Sequence, residues 1–387
     1  MSTHDAPEIR QEEIEPFLRR LISIPSVTGS EHRIAEYFSH FFSKHNFDVQ
    51  IIPTEGVGPS VVARCVSGRG PNLLLYGHLD TVEPVDGWRY PLFKPRKVKG
   101  YMYGLGSWDM KAGLSALSLA AAKLSKQRFN GVLTVALASD EELYSRGFHA
   151  FHEKDVFRGV QAAISAEPTG LNRLEVGRRG RVVFEVNVKG RAGHAANPAK
   201  SVDAVKAAAR VVLGLDRLRF KRWGPIRGSA AVLSIEGGTD FLTVPDRCRI
   251  RVDRHLVLGE SRQMAHKQLK ELAKDVEGDA RIEVRLFRRR TPFPEPYEIP
   301  RTEPIIRIME ETCLRVRGRK PRRSFGLSVA DDNYLVVEAG VPTVTFGPDG
   351  ENYHGPNECV HLPSVVDAAN IYLQASALFF ESFRQRH

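Results

Sequence analysis

The chain has few cysteines, no long apolar run and no nucleic-acid-binding motif, and each shortage removes a class of function. Its four cysteines, Cys65, Cys248, Cys313 and Cys359, lie far apart and form no Cys-x-x-Cys pair among 387 residues. That spacing argues against a cysteine-based zinc knuckle or a disulfide framework and for buried, reduced thiols. No apolar run approaches the roughly 20 residues that span a bilayer, so no membrane partner is expected. Residues 1–16 are polar and acidic without an apolar core, unlike a secretory signal, and a cytoplasmic location is expected. The net charge of +10 would suit nucleic acid, yet Lys and Arg are dispersed, with local clusters at 288–290 and 315–323. No stacking platform accompanies them, so no nucleic-acid partner is expected. A basic, solvated surface that attracts small anionic substrates is the better reading.

What is present is a chain too long for one ordinary core, with 42% hydrophobic residues. The first half alternates helical stretches with short apolar strands. Residues 12–21, 31–44 and 111–124 read as helices; 47–52, 61–65, 73–76, 132–138 and 162–166 read as strands. Continuous apolar strands between helices predict an α/β fold, a mostly parallel sheet flanked by helices. Past Gly177 the order becomes strand 181–188, helix 202–215, strands 230–235 and 247–253, helix 261–276 and strand 281–287. This β-α-β-β-α-β order predicts an inserted ferredoxin-like α+β domain. A Pro-rich stretch closes it, and helix 303–316 and strand 341–346 resume the first domain. The predicted boundaries are 1–177 and 292–387 for the large domain and 178–291 for the insert.

Five polar clusters sit at or just past the carboxyl ends of predicted core strands, or open the helix beside one, where ligands gather in open α/β sheets. His78-Leu79-Asp80 follows the strand 73–76. One of the two polar residues can ligate a metal while the other orients it, although a lone His-x-Asp is ordinarily a loop. Asp109 follows a glycine-rich turn at Gly104 and Gly106, where it can cap the next helix or bridge two metals. Asp140-Glu141-Glu142 places three acids together, which need solvent or cations. Glu167 and His354 follow two further strands. Separate bland explanations for all five must hold at once, whereas a two-metal centre explains them together. His and carboxylate ligands suit zinc, with cobalt or manganese as substitutes. One ion would take His78 and Glu167, the other Glu142 and His354, with Asp109 between them. Glu141 then remains as general base.

These residues, in the motifs GHLDTVEP (with Trp88 following), GLGSWDMKAG, DEE, AEPT and HGPNE, resemble the co-catalytic metallopeptidase family of acetylornithine deacetylase, succinyl-diaminopimelate desuccinylase, aminoacylase and carboxypeptidase G. The resemblance covers nearly the whole chain. It implies hydrolysis of an amide in a small N-acyl amino acid, with dipeptidase or carboxypeptidase activity as the rival and a catalytically inactive binding relative as a different class. It implies that His78, Asp109, Glu142, Glu167 and His354 bind two metal ions, that Asp80 orients His78, and that Glu141 is the catalytic base. It further implies a lid and homodimer through the inserted domain. There His194 would stabilise the oxyanion, commonly from a partner subunit, and Arg254 would hold a substrate carboxylate, with a salt bridge inside the lid as its plain alternative. Two departures stand out. Leu242 replaces a frequent Asn, Leu105 replaces a frequent Arg, and both positions are expected near the substrate. Glu rather than Asp at position 167 tilts toward desuccinylases, aminoacylases and carboxypeptidases.

Overall fold

The computed structural model describes residues 8–384, which fall into two compact units. The first contains the chain up to Gly177, Ile299–Ser324, and the chain from Ala330 onward. Its sheet runs in the order Asp48–Ile52, Ser60–Ser67, Gly131–Ala138, Asn72–His78, Val160–Ser165, Thr343–Thr345 and Arg173–Arg178. The four middle strands, Gly131–Ala138 to Thr343–Thr345, are mutually parallel. The strands beyond them on either side pair antiparallel.

Both faces of the parallel core are covered, which is why its strands are apolar throughout rather than alternating. On one face Leu74, Tyr76 and Ala136 pack with Phe148 and Phe151 of helix Arg146–Glu153 and with Tyr334 and Leu335 of helix Asp332–Val337. Helix Gly113–Leu124 packs along Leu362–Arg384 and also touches the central strands. Its small residues Ala116, Ala120 and Ala121 are fully buried and permit close approach. The 23-residue helix Leu362–Arg384 is absent from the sequence reading, as are Arg146–Glu153 and Asp332–Val337. Among the described residues no helix is long and apolar enough to cross a membrane. All four cysteines are reduced and buried.

The second unit contains Arg178–Glu298 and Phe325–Val329. Its antiparallel sheet has the order Ser229–Gly237, Arg247–Leu256, Gly180–Lys189, Arg281–Leu286. Helices Ala204–Gly214 and Arg262–Val276 share one core with Val182, Phe184, Val186, Ile250 and Val252 from one sheet face. Each helix starts on a side-chain cap: Asp203 accepts the N–H of Lys206, and Ser261 that of Met264. The unit ends later than the predicted 291. Phe293 is buried in its core, and the N–H of Arg181 donates to Pro294 O at 2.9 Å. Phe325 also belongs to it, with its ring centroid 4.0 Å from that of Trp223. Sequence periodicity misses both attachments: Phe293 stands alone in irregular chain, and Phe325 lies in the short strand Arg322–Gly326.

Candidate metal centre

The parallel strands place His78, Ala138, Ser165 and Thr345 at the same end of the sheet. The chemistry-bearing residues follow within a few positions, so strand direction alone gathers them. Asp80 then organises the centre. Its carboxylate accepts the Oγ1–H of Thr28 at 2.8 Å and the backbone N–H groups of Glu141 and Glu142 at 3.1 and 3.2 Å. It also lies 3.4 Å from His78 Nδ1, which is 3.0 Å from the Asp80 carbonyl oxygen. A carbonyl only accepts, so Nδ1 carries the hydrogen and the lone pair of neutral His78 sits on Nε2. Asp80 thus fixes an imidazole tautomer through its carbonyl and, through its carboxylate, the turn that presents two glutamates.

Asp109 is not the helix cap that its position suggested. Its backbone is non-helical (φ −110°, ψ 98°), and a turn of π-type geometry over Ser107–Ala112 precedes the helix. Gly106 permits that turn: its φ is +71°, and a Cβ there would meet Thr81 Cγ2 at 2.3 Å. Glu358 holds the turn from the other side. Its carboxyl accepts the N–H of Gly106 at 2.6 Å and those of Trp108 and Asp109 at 2.8 Å. Burial pushes the Glu358 carboxyl up to about 8. Lys111, equally buried, donates to Ile24 O at 2.8 Å, and burial lowers its ammonium to about 7.

The result is two triads sharing one carboxylate: His78, Asp109 and Glu167, and Asp109, Glu142 and His354. His78 Nε2 is 3.2 Å from Asp109 Oδ1 and 3.5 Å from Glu167 Oε1. His354 Nε2 is 3.3 Å from Asp109 Oδ2 and 3.0 Å from Glu142 Oε1. Ligands about 2.0–2.1 Å from a tetrahedral ion stand about 3.3 Å from one another, so these spacings fit zinc-type arms. The donor set is imidazole and carboxylate only, borderline to hard, which matches Zn, Co or Mn. His354 sits on a backbone of positive φ (+58°), as do Asn352 and Asn357 beside it.

The electrostatics also call for cations. Glu141 is raised well above the ordinary carboxylate range by burial and then by the Glu167 charge; Glu142 is raised by burial and then by Asp109. Burial opposes charge on Asp109 too, but its bonds to His354 and His78 outweigh that and hold it low. His354 is pushed up to about 11 by its bonds to Asp109 and Glu142. Burial disfavours the His78 imidazolium, yet Asp109 and Asp80 raise it overall. Several like charges in one buried place are tolerated only with positive partners, which here are protons on imidazole or metal ions.

Glu141 stands apart from the triads, its Oε1 accepting the N–H of Asp331 at 3.2 Å. Asp331 in turn accepts the Tyr76 hydroxyl at 2.6 Å. The sequence shows no sign of Asp331 in the centre, and it assigns no role to Tyr76 or Glu358, which stand beside the His78 and His354 motifs.

The remaining predicted residues lie elsewhere or face inward. His194 is exposed in the second unit, paired in register with Thr243, and its Nδ1 accepts the Ala196 N–H at 3.1 Å. Arg254 does not present itself to a substrate. Its side chain is 1% exposed and reaches Ser229 O at 3.0 Å, Gln268 Oε1 at 3.2 Å and Glu260 Oε1 at 3.5 Å. Its guanidinium also covers the Phe220 ring at 4.5 Å. The alternative, a salt bridge inside the inserted unit, describes it. Leu105 is likewise core, 2% exposed, whereas Leu242 is 78% exposed.

The profile of peptidase family M20/M25/M40 matches residues 74–377. A succinyl-diaminopimelate desuccinylase of Wolinella succinogenes is 29% identical over 369 residues, spanning 92% of this chain and 97% of that protein. An acetylornithine deacetylase of Vibrio atlanticus is 29% identical over 349 residues, spanning 86% and 88%. The crystal structure of the YXEP protein of Bacillus subtilis, a dinuclear metal binding peptidase, superposes with a TM-score of 0.73 at 17% identity, spanning 95% and 96%, a likeness of fold. The chain belongs to peptidase family M20/M25/M40 and is a hydrolase acting on amide or peptide bonds.

Proposed function

We propose that the protein is a deacylase that removes an acetyl- or succinyl-type group from a small N-acyl amino acid with two divalent ions, zinc by preference. The observation that carries this reading is the pair of imidazole–carboxylate triads meeting at Asp109. His78 and Glu167 would hold one ion, Glu142 and His354 the other, and Asp109 both. When bound, two such ions activate a water and polarise the scissile carbonyl.

The protein's own residues supply the rest. Asp80 keeps the His78 lone pair on Nε2 and braces the turn bearing Glu141. Glu141 accepts a proton as the water oxygen bonds to the carbonyl carbon. It returns that proton to the nitrogen as the carbon–nitrogen bond breaks, so that a carboxylate and an amine leave. A carboxyl raised by burial is suited to both transfers, because it holds and releases protons nearer neutrality than an exposed one. His194 would donate to the developing oxyanion from a second copy of the chain in a homodimer. Such a donor is worth about 3–4 kcal/mol. The relatives' names favour acyl amino acids over peptides as the substrate class, and a cytoplasmic location accords with that chemistry.

The test is a panel of N-acetyl, N-succinyl and dipeptide substrates on zinc-loaded protein, with Glu141→Gln beside it. Turnover of the acylated amino acids, and loss of about 10²–10⁴-fold in Glu141→Gln with its metal content retained, is the expected result. Turnover of dipeptides alone would overturn the deacylase reading, and a fully active Glu141→Gln would overturn the assignment of the base.

A further inference from the structure

The open face of the inserted unit's sheet carries a charge pattern that the metal chemistry does not use. Strand register places Arg247 opposite Lys189 and Lys189 opposite Arg281, across three adjacent strands. All three side chains stand on the face away from the helices, because the intervening residues Val188, Cys248 and Ile282 pack into the helix-covered core. Adjacent strands are about 4.8 Å apart, so three cations line up within about 10 Å. Like charges directly opposite one another on a sheet are destabilising.

The next rows of the same face are built differently. One row along, Arg249 stands between Glu236 and Asn187, with Glu283 beyond, and it pairs with Glu236. In the row after that, Glu185 lies between Arg251 and Arg285, and it is 3.9 Å from Arg249. Glu283 is engaged by Arg285 at 2.7 Å. These rows neutralise themselves. None of Lys189, Arg247 and Arg281 has an ion-pair partner among the described residues. All three line a concavity of about 760 Å³, with Gly237 and Gly238 and, toward the next row, Arg249, Glu236 and Glu283, whose two carboxylates are engaged by Arg249 and Arg285. That volume is in the range of small-ligand sites.

We propose that the Arg247–Lys189–Arg281 row is a binding site for a compact polyanion, a small molecule carrying two or three phosphate or carboxylate groups. Guanidinium forks at both ends suit planar or tetrahedral oxyanions, and the central ammonium acts as a point charge between them. The anion supplies the counter-charge that this row, alone on its face, lacks. The inference does not rest on the proposed deacylase reaction or on the metal centre.

The probe is 8-methoxypyrene-1,3,6-trisulfonate, a fluorescent trianion that binds zinc poorly, followed by anisotropy on the full-length, metal-loaded chain. The variant Lys189→Gln/Arg247→Gln/Arg281→Gln removes the row. Lys267→Gln/Lys270→Gln/Lys274→Gln removes the same charge from the helix on the opposite face. The expected result is that the row variant binds the dye at least about tenfold more weakly and the helix variant changes less than about threefold, with wild-type affinity falling as salt rises. Dye binding no tighter than millimolar in the wild type, or equal losses in both variants, would overturn the site. Competition by adenosine 3′,5′-bisphosphate but not tricarballylate identifies a phosphate ligand, and the reverse identifies a polycarboxylate. Failure of both to displace the dye at millimolar concentration overturns the proposal.

Discussion

The backbone N–H of Asp331 donates to Oε1 of Glu141 at 3.2 Å, although 190 positions separate the two residues in the chain. The proposed base is therefore held by a segment that returns to the first unit only at Ala330, just after Phe325–Val329 of the second. Asp331 is itself fixed by the Tyr76 hydroxyl at 2.6 Å, on the strand that leads to His78. Burial raises the Asp331 carboxyl to about 7, against the lowering effect of its bond to Tyr76.

Removing only that hydroxyl tests whether the arrangement positions the base. In Tyr76→Phe a buried acceptor loses its donor, which costs about 1–3 kcal/mol of stability. If the Tyr76–Asp331 contact also holds Glu141, kcat falls several-fold while KM and bound metal stay as in wild type. Steady-state kinetics beside elemental analysis separates the outcomes. A lower melting temperature with unchanged kcat would make Tyr76 a purely structural residue.

The His354 imidazole gives the metal centre a pH dependence of definite sign. In the metal-free protein its bonds to Asp109 and Glu142 raise it to about 11, against about 6.5 for an ordinary histidine. Between these values the folded chain holds a proton that the unfolded chain releases. Its contribution to stability is complete below about 6.5 and is lost as pH rises through about 11. A metal ion needs the neutral imidazole and must displace that proton. Zinc affinity is therefore expected to strengthen by about tenfold per pH unit for each proton displaced, up to about pH 11, where the folded imidazole gives up its proton unaided. Competitive chelator titrations at several pH values measure it. An affinity independent of pH across this window would mean that His354 is not displaced from its proton, and so is not a ligand.

Much of this centre was legible because strand direction does the gathering. An apolar run followed directly by His78, by Glu141 and Glu142 or by Glu167 places polar residues at one sheet end whenever the strands are parallel. What was illegible depends on long-range packing. Asp331 contributes a backbone N–H to Glu141, and no side-chain pattern announces that. The helix Leu362–Arg384 is packed by three helices, Gln11–Ile22, Gly113–Leu124 and Pro304–Arg317, so it is buried on more than one side and its small and apolar residues give only a weak amphipathic signal. The family resemblance makes Arg254 a substrate ligand, yet Glu260, Gln268 and Ser229 occupy it inside the fold. A sequence motif records which residue stands at a position, and the burial of its side chain decides whether a substrate can reach it.

Glu358 is the residue on which the Asp109 turn depends most, and it lies 249 positions away from Asp109. Its carboxyl accepts three backbone N–H groups, at Gly106, Trp108 and Asp109, none of which has a helical partner in that irregular turn. Water cannot replace it easily, since the residue is 1% exposed. Glu358→Ala should therefore lower stability by about 2–4 kcal/mol through its unsatisfied donors and the cavity left behind. It should also weaken metal binding by about 10–100-fold, the usual effect of removing a group that orients a ligand. Glu358→Gln keeps the shape and one acceptor oxygen, so it should recover most of the stability and only part of the affinity. Urea denaturation of the metal-free protein and zinc titration of each variant give the two quantities separately. Equal zinc affinity in Glu358→Ala and wild type would mean that Asp109 finds its place without the turn, and would confine Glu358 to a role in stability.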